Sequence, residues 1–311
     1  DTAANIAAAI SDTTVSGSTT LGAIDIATLN AASAVSVTGT VNASQATQLK
    51  AATTFTNWNG AYNIVDTYSA LSTLKTGSAA TYSGAASVVA QDTAANINTN
   101  YVWVTANTSG YNVSDNLTNL IASGNAVIVG NAKAVTIPST TVTIAGLTLT
   151  SGSASATCTA NSNLVVGMSV VGTGIPAGTT ISAVASSTAF TLSANATATA
   201  AGTYTAGSGD AGAATITASH ATSLYNANHA ASYAVADSAA NLVSAAGAAS
   251  TKVGAANASS LTVTDATTVA NIQTITAVNA KTSYSLSDTY AKVAAQPGIA
   301  DGASSIDVTD S

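Results

Sequence analysis

Tyr62-Asn63-Ile64-Val65-Asp66-Thr67-Tyr68-Ser69-Ala70-Leu71 is the stretch from which the architecture is read. Tyr62 and Ile64 stand two apart, on one face of a strand. Asp66 ends the strand, and Tyr68 and Leu71 then fall three apart, on one face of a short helix. The same apolar-x-apolar-x-Asp pattern returns as Tyr111-x-Val113-x-Asp115, Tyr233-x-Val235-x-Asp237 and Tyr284-x-Leu286-x-Asp288. Weaker copies end at Asp92, Asp265 and Asp310, and the sequence opens on Asp1-Thr2-Ala3-Ala4-Asn5-Ile6. Eight of the thirteen acids thus sit in one motif. Apolar residues follow at +2 and +5 of six of them, as in Ala94 and Ile97, Leu117 and Leu120, or Ala239 and Leu242. An Asp just before such a face reads as an N-cap, accepting the unpaired N–H groups of the first turn.

Repetition sets the expected architecture. The four tyrosines are separated by 49, 122 and 51 residues. A unit of about 50 residues, made of two strand–helix halves of about 25, cannot bury its own apolar face, whereas stacked neighbours can. The expected fold is therefore a repeat solenoid of short strands and short helices, an α/β solenoid, with a β-helix carrying helical corners as the competing geometry. The long middle interval places an insertion between Pro138 and a resumed strand at Ala214–Thr217. Residues 138–212 alternate as strands at Thr141–Ile144, Leu147–Thr150, Ile181–Val184 and Phe190–Leu192, with turns at Gly172-Thr173-Gly174 and Pro176-Ala177-Gly178. The expected division is repeats over 1–137 and 213–311 around an inserted all-β domain. The opening Asp without its strand, and the closing Ile306-x-Val308-x-Asp310 without its helix, suggest an excised piece of a longer array or ends that dock copy to copy.

Composition narrows the function. All thirteen acids are Asp and all six bases are Lys, so Glu and Arg are absent, and charged residues are 6% of the chain against about 25% in ordinary domains. A net charge of −7 and scattered lysines argue against nucleic acid, which needs clustered cations. Cys158 is the single cysteine, which leaves no intrachain disulfide and no cysteine metal site. No run reaches the ~18 apolar residues of a membrane helix.

The motif units resemble repeats of large secreted bacterial surface proteins, S-layer-like and adhesin-like, of cyanobacteria and proteobacteria. The segment Val166-Gly167-Met168-Ser169-Val170-Val171-Gly172-Thr173-Gly174-Ile175-Pro176-Ala177-Gly178-Thr179-Thr180 is similar to a module of bacterial surface and phage structural proteins. The resemblance implies an extracellular structural role at the bacterial cell surface and carries over no catalytic residue.

Candidate chemistry is sparse. Asp66, Asp115, Asp237 and Asp288 are calcium candidates if stacking aligns them, but each is isolated in sequence, and the Gly-Gly-x-Gly-x-Asp calcium repeat is missing. The remaining acids Asp12, Asp25, Asp210, Asp301 and Asp307 form no dyad. His220 and His229 lack the i, i+4 spacing of a helical metal pair and have no triad signature nearby. The tyrosines at 62, 111, 233 and 284 read as a stacked core row, with an aromatic ladder for glycans as the other reading. Thr-rich strands such as Thr141–Thr150 are too irregular for a flat ice-binding array. With no cofactor expected, the sequence points to a non-enzymatic, self-assembling protein of an S-layer, sheath or extracellular filament, whose partners are copies of itself. An adhesin whose insert binds a surface glycan or receptor is the alternative.

Overall fold

The computed structural model describes residues 37, 39–51, 62–161, 163–176, 178–209 and 215–310. The readings made above for Asp1–Ile6, Asp12, Asp25 and Asp210 lie outside these. The chain forms two compact units, 1–113 and 114–311.

In unit 1 the strand–helix pattern of the sequence is realised as parallel strands with helical returns. The elements run β1 (Thr40–Val41), α1 (Ala43–Ala51), β2 (Asn63–Asp66), α2 (Tyr68–Gly77), α3 (Ala79–Ser83), β3 (Ser87–Asp92), α4 (Ala94–Thr99), α5 (Tyr101–Asn107) and β4 (Tyr111–Ser114). The strands lie in chain order β1-β2-β3-β4, all parallel, with Ile64 opposite both Val41 and Val88. Parallel neighbours require a crossover, and helices covering the sheet supply it. Leu71 and Leu74 of α2, Ile97 of α4 and Val104 of α5 are buried in that layer.

Unit 2 holds two kinds of structure. After α6 (Leu117–Leu120), a 3-10 turn at Ser123–Asn125 and α7 (Ala126–Gly130), the short strand β5 (Val135–Thr136) leads into β6 (Thr141–Leu149). Next come β7 (Ser155–Thr157), β8 (Ser169–Val171), β9 (Ile181–Ser186), β10 (Ala189–Leu192) and β11 (Ala200–Gly207). These form a six-stranded antiparallel sheet in the order β8-β11-β6-β7-β10-β9, curled over a core that includes Ile144, Leu147, Leu149, Met168, Phe190, Leu192 and Tyr204. The Gly172 backbone is left-handed (φ 152°), and a Cβ there would sit 2.0 Å from the Tyr204 ring, so only glycine lets the ring close over this turn.

The chain then returns to parallel strands. These elements are β12 (Thr215–Ile216), α8 (Ala218–Ala227), β13 (Ala231–Ser232), β14 (Ala234–Asp237), α9 (Ala239–Gly247), α10 (Ala249–Ala256), β15 (Leu261–Val263), α11 (Val269–Thr276), β16 (Thr282–Ser283), β17 (Leu286–Asp288), α12 (Tyr290–Ala294), α13 (Pro297–Asp301) and β18 (Ile306–Val308). Helices α8 and α10 approach closely, because a Cβ on Gly254 would lie 2.3 Å from the backbone nitrogen of Thr222.

The expectation of a repeat solenoid, and of a β-helix as its alternative, is corrected. The fold is mixed α/β, with parallel sheets beside a curled antiparallel one. In unit 2 the parallel strands do not run as one uninterrupted stack. They divide into a β5-β13 pair, a four-stranded sheet β12-β14-β15-β16 and a β17-β18 pair. The breaks fall at two motif tyrosines. Tyr233 separates β13 from β14, and Tyr284 lies between β16 and β17, so each strand changes sheet at its tyrosine.

Candidate functional site

The motif aspartates form a regular polar constellation among the described residues. Their helices begin one residue later than the sequence suggests. The N-caps are Thr67, Thr93, Asn116 and Ser238, whose side-chain oxygens accept the N–H groups of Ala70, Asn96, Asn119 and Asn241. The capping role read for Asp66, Asp92, Asp115 and Asp237 is thus corrected, since the residue after each one caps its helix, and after Asp265 the cap is Thr268, three residues on. Asp66 Oδ1 instead accepts the N–H of Thr67 (2.7 Å), Asp92 Oδ1 that of Thr93 (2.9 Å), Asp115 Oδ1 that of Asn116 (2.8 Å), Asp237 Oδ1 that of Ser238 (2.8 Å) and Asp288 Oδ1 that of Thr289 (2.8 Å). An asparagine four residues on adds a second donor to Asp92, Asp115 and Asp237, from Asn96, Asn119 and Asn241.

The remaining carboxylate oxygen reaches backwards along the chain. Asp66 Oδ2 accepts the N–H of Ala43 at 2.9 Å and Asp92 Oδ2 that of Tyr68 at 3.1 Å. Asp237 Oδ2 takes Ala218 at 3.0 Å and Asp288 Oδ2 takes Val269 at 3.1 Å. Asp265 and Asp310 do the same with one oxygen each, for Ala239 and Tyr290. Each of these donors is the first residue of the helix one strand earlier. A helix start carries four unpaired N–H groups and partial positive charge, so one carboxylate ties two successive helix starts together. Lys292 adds an ion pair to Asp288 at 3.1 Å. The N–H donors of Thr289 and Val269, with Lys292, hold the Asp288 carboxyl below the usual carboxylate range, outweighing its burial.

This arrangement does not fit calcium. Donor hydrogens point at the carboxylate oxygens where a cation would have to sit, and among the described residues no three His, Cys, Asp or Glu converge on a metal position.

The motif tyrosines are core residues. Tyr62, Tyr111, Tyr233 and Tyr284 are 4–6% exposed. The hydroxyls of Tyr62, Tyr233 and Tyr284 donate to the carbonyls of Thr81, Gly254 and Ile299, in the second helix after each strand. Burial is the main cause that pushes the Tyr111 and Tyr233 hydroxyls up to about 12. Buried rings offer no face to a sugar, which corrects the glycan-ladder reading. His220 stands in the first turn of α8, and His229 packs on the Tyr225 ring at 4.6 Å.

Sequence reasoning missed a second polar device. Asn228 and Asn279 are buried, and each donates both Nδ2 hydrogens to carbonyls at the end of an earlier helix. Asn228 reaches Val129 and Ala132, and Asn279 reaches Ala255 and Ala258. Their Oδ1 atoms accept the N–H of Ala230 and Lys281. The available signal was an Asn five residues before a motif Tyr, at Asn228–Tyr233 and Asn279–Tyr284.

Two shallow grooves lie between successive helices at corresponding places in the two units. One, of about 510 Å³, is bordered by Ser44, Thr47 and Thr73. The other, of about 560 Å³, is bordered by Ser219, Thr222 and Ser244. Both are hydroxyl-rich and offer neither a nucleophile–base pair nor a cluster of carboxylates. Compared with known proteins, the chain matches no protein-family model and no curated protein. Among the described residues no helix is long and apolar enough to cross a membrane.

Proposed function

We propose that this chain is a structural, self-associating protein of the bacterial cell exterior, of the S-layer, sheath or filament kind, and not an enzyme. The observation that carries the reading is the state of the last strand. Two residues before each motif Asp stands an apolar side chain, and Ile64, Ala90, Val113, Val235 and Leu286 are all buried there. In β18 the corresponding Val308 is 45% exposed and its companion Ile306 is 43% exposed. Among the described residues β18 pairs with β17 alone. Tyr290 is 68% exposed, whereas Tyr68, which likewise follows an Asp-Thr pair, packs edge-on against Trp103 at 5.2 Å.

A second copy, or flanking repeats of a longer chain, would complete this unit, and the second copy is the occupant tested below. Its Asp1-Thr2-Ala3-Ala4-Asn5-Ile6 repeats, letter for letter, the Asp92–Ile97 segment. In unit 1 that segment buries Ala94 and Ile97, and its Asp92 holds the N–H of Tyr68 just as Asp310 holds that of Tyr290. An unpaired strand edge is a template for association, and each large apolar side chain covered adds up to about 2 kcal/mol. A charged fraction of 6% leaves little repulsion to oppose stacking.

Light scattering and negative-stain electron microscopy of the purified chain test the reading. Ordered assemblies are expected from the unaltered protein. The double variant Ile306→Lys, Val308→Lys should stay monomeric with an unchanged circular dichroism spectrum. A strictly monomeric unaltered chain at high concentration would sink the proposal. The second reading is an adhesin whose antiparallel domain binds a glycan or surface receptor. It rests on β9, where every residue after Ile181 is exposed, Val184 among them. Binding of that domain to bacterial or host glycans by a chain that does not self-associate would favour it.

A further inference from the structure

Residues 134–209 contain no Asp, Glu, Lys, Arg or His, and one edge of the sheet they form is open. In the order β8-β11-β6-β7-β10-β9, β9 is an edge strand. Its start is closed off by β8 and the loop before it. Thr180 bridges Ser169, the Ile181 N–H donates to the Met168 carbonyl, and the Gly167 N–H donates to the Ile181 carbonyl. Beyond Ile181, β9 pairs with β10 alone among the described residues, and Ser182 to Ser186 are exposed. The open run is Ser182-Ala183-Val184-Ala185-Ser186, which reads the same in both directions. Edge strands are ordinarily protected by charge, by Pro or by bulges. Here charge and Pro are absent, and register shifts against β10 skip Ser182 and Ala185.

We propose that β9 pairs antiparallel with β9 of a second copy, about a two-fold axis through Val184. Such an axis sets Ser182 opposite Ser186, Ala183 opposite Ala185 and Val184 opposite itself. Every cross-strand pair is then like with like, apolar on apolar and hydroxyl on hydroxyl, whereas a charge on the axis would face its own copy. The loop bearing exposed Val165 and Val166 joins β9 at Ile181, which adds apolar surface beside the open edge. A run this short falls below the roughly 1,000 Å² that a stable interface buries, and the register shifts shorten its regular part further. The contact is therefore weak between two lone chains and gains strength where copies stacked end to end present many such edges together. It deepens the self-association reading but uses a different element. The contact at β18 is head to tail and propagates, whereas the one at β9 is two-fold, closes on itself, and ties neighbouring arrays side by side.

Disulfide trapping in the full chain tests this, because it captures transient pairs that light scattering does not register. Cys158, the single cysteine, is replaced by Ser, and Val184→Cys or Ala183→Cys is added. Opposed Cα atoms of an antiparallel pair lie about 4.5–5.5 Å apart, within disulfide reach, while diagonal ones lie about 7–8 Å apart. Under mild oxidation Val184→Cys should form covalent dimer roughly tenfold faster than Ala183→Cys, whose opposite number is Ala185. Mixing Ala183→Cys chains with Ala185→Cys chains should restore the fast rate. The same order of rates is expected in the Ile306→Lys, Val308→Lys background, which separates this contact from the end strand. Equal trapping at 183 and 184 would overturn the proposal, as would absence of dimer at 184 in concentrated protein. A preference for 184 that vanishes in the Lys background would also overturn it, since trapping would then follow from end-to-end crowding alone.

Discussion

The parallel-strand regions and the antiparallel domain solve one problem with opposite chemistry. A chain of small side chains must satisfy its backbone polar groups while stacking closely. In the antiparallel sheet each strand pairs directly with its neighbours, so the ladder does this unaided and residues 134–209 need no charge. Where strands are parallel, every crossover ends and starts a helix, and each helix start leaves N–H groups without partners. The aspartates lie where those starts accumulate, and the asparagines at 228 and 279 serve the helix ends. The thin charged inventory is thus concentrated where connectivity demands it.

The largest effect expected from breaking this contrast is at Gly254. A methyl group there meets the Thr222 backbone at 2.3 Å, and backbone cannot swing aside as a side chain can. Gly254→Ala should force α8 from α10 and cost about 3 kcal/mol, read as a fall in urea midpoint. Asp237→Ala comes next. It strips acceptors from Ala218, Ser238 and Asn241, and about 2 kcal/mol should be lost at neutral pH. Protection of β6 to β11 against hydrogen exchange should not change, because no motif aspartate enters that sheet.

A matched pair sharpens the comparison. Tyr233→Phe removes a hydroxyl bond to Gly254, and Tyr204→Phe removes one to Thr173. Each should cost about 1 kcal/mol, the first in the parallel region and the second in the antiparallel domain, as separate shifts in local exchange. The smallest effect is at the true N-cap. Ser238→Ala should lose about 1 kcal/mol or less, and Ser238→Asp should recover it. A larger loss at Ser238 than at Asp237 would reverse the assignment of roles between these neighbours.

Much of the local structure was legible. Leu71, Ile97, Leu117, Leu120 and Leu242, read as helix faces, are all buried. The strands read at Thr141–Ile144, Leu147–Thr150, Ile181–Val184 and Phe190–Leu192 fall within β6, β9 and β10, apart from Thr150, which follows β6. The architecture was not legible. Apolar residues at −4, −2, +2 and +5 of an Asp specify a strand and a helix, but they say nothing about whether neighbouring strands join one sheet. That choice is made at Tyr233 and Tyr284, where the strand breaks and its halves pair with different partners. The cap slipped by one residue because Asp and Ser or Thr are both good caps, and only geometry shows which oxygen meets the first turn. The role of Asn228 was hidden because its carbonyl partners lie 99 and 96 residues upstream, where no local pattern reaches.

The backward reach of the carboxylates has a consequence for how the chain is made. Six helix starts, each the first helix after a strand, are completed by an aspartate 19 to 26 residues further along. A chain emerging amino-end first, from a ribosome or through an export channel, therefore always trails one unfinished helix behind the exit. That helix closes when the next strand arrives, so the fold consolidates by a ratchet in which every new strand seals its predecessor.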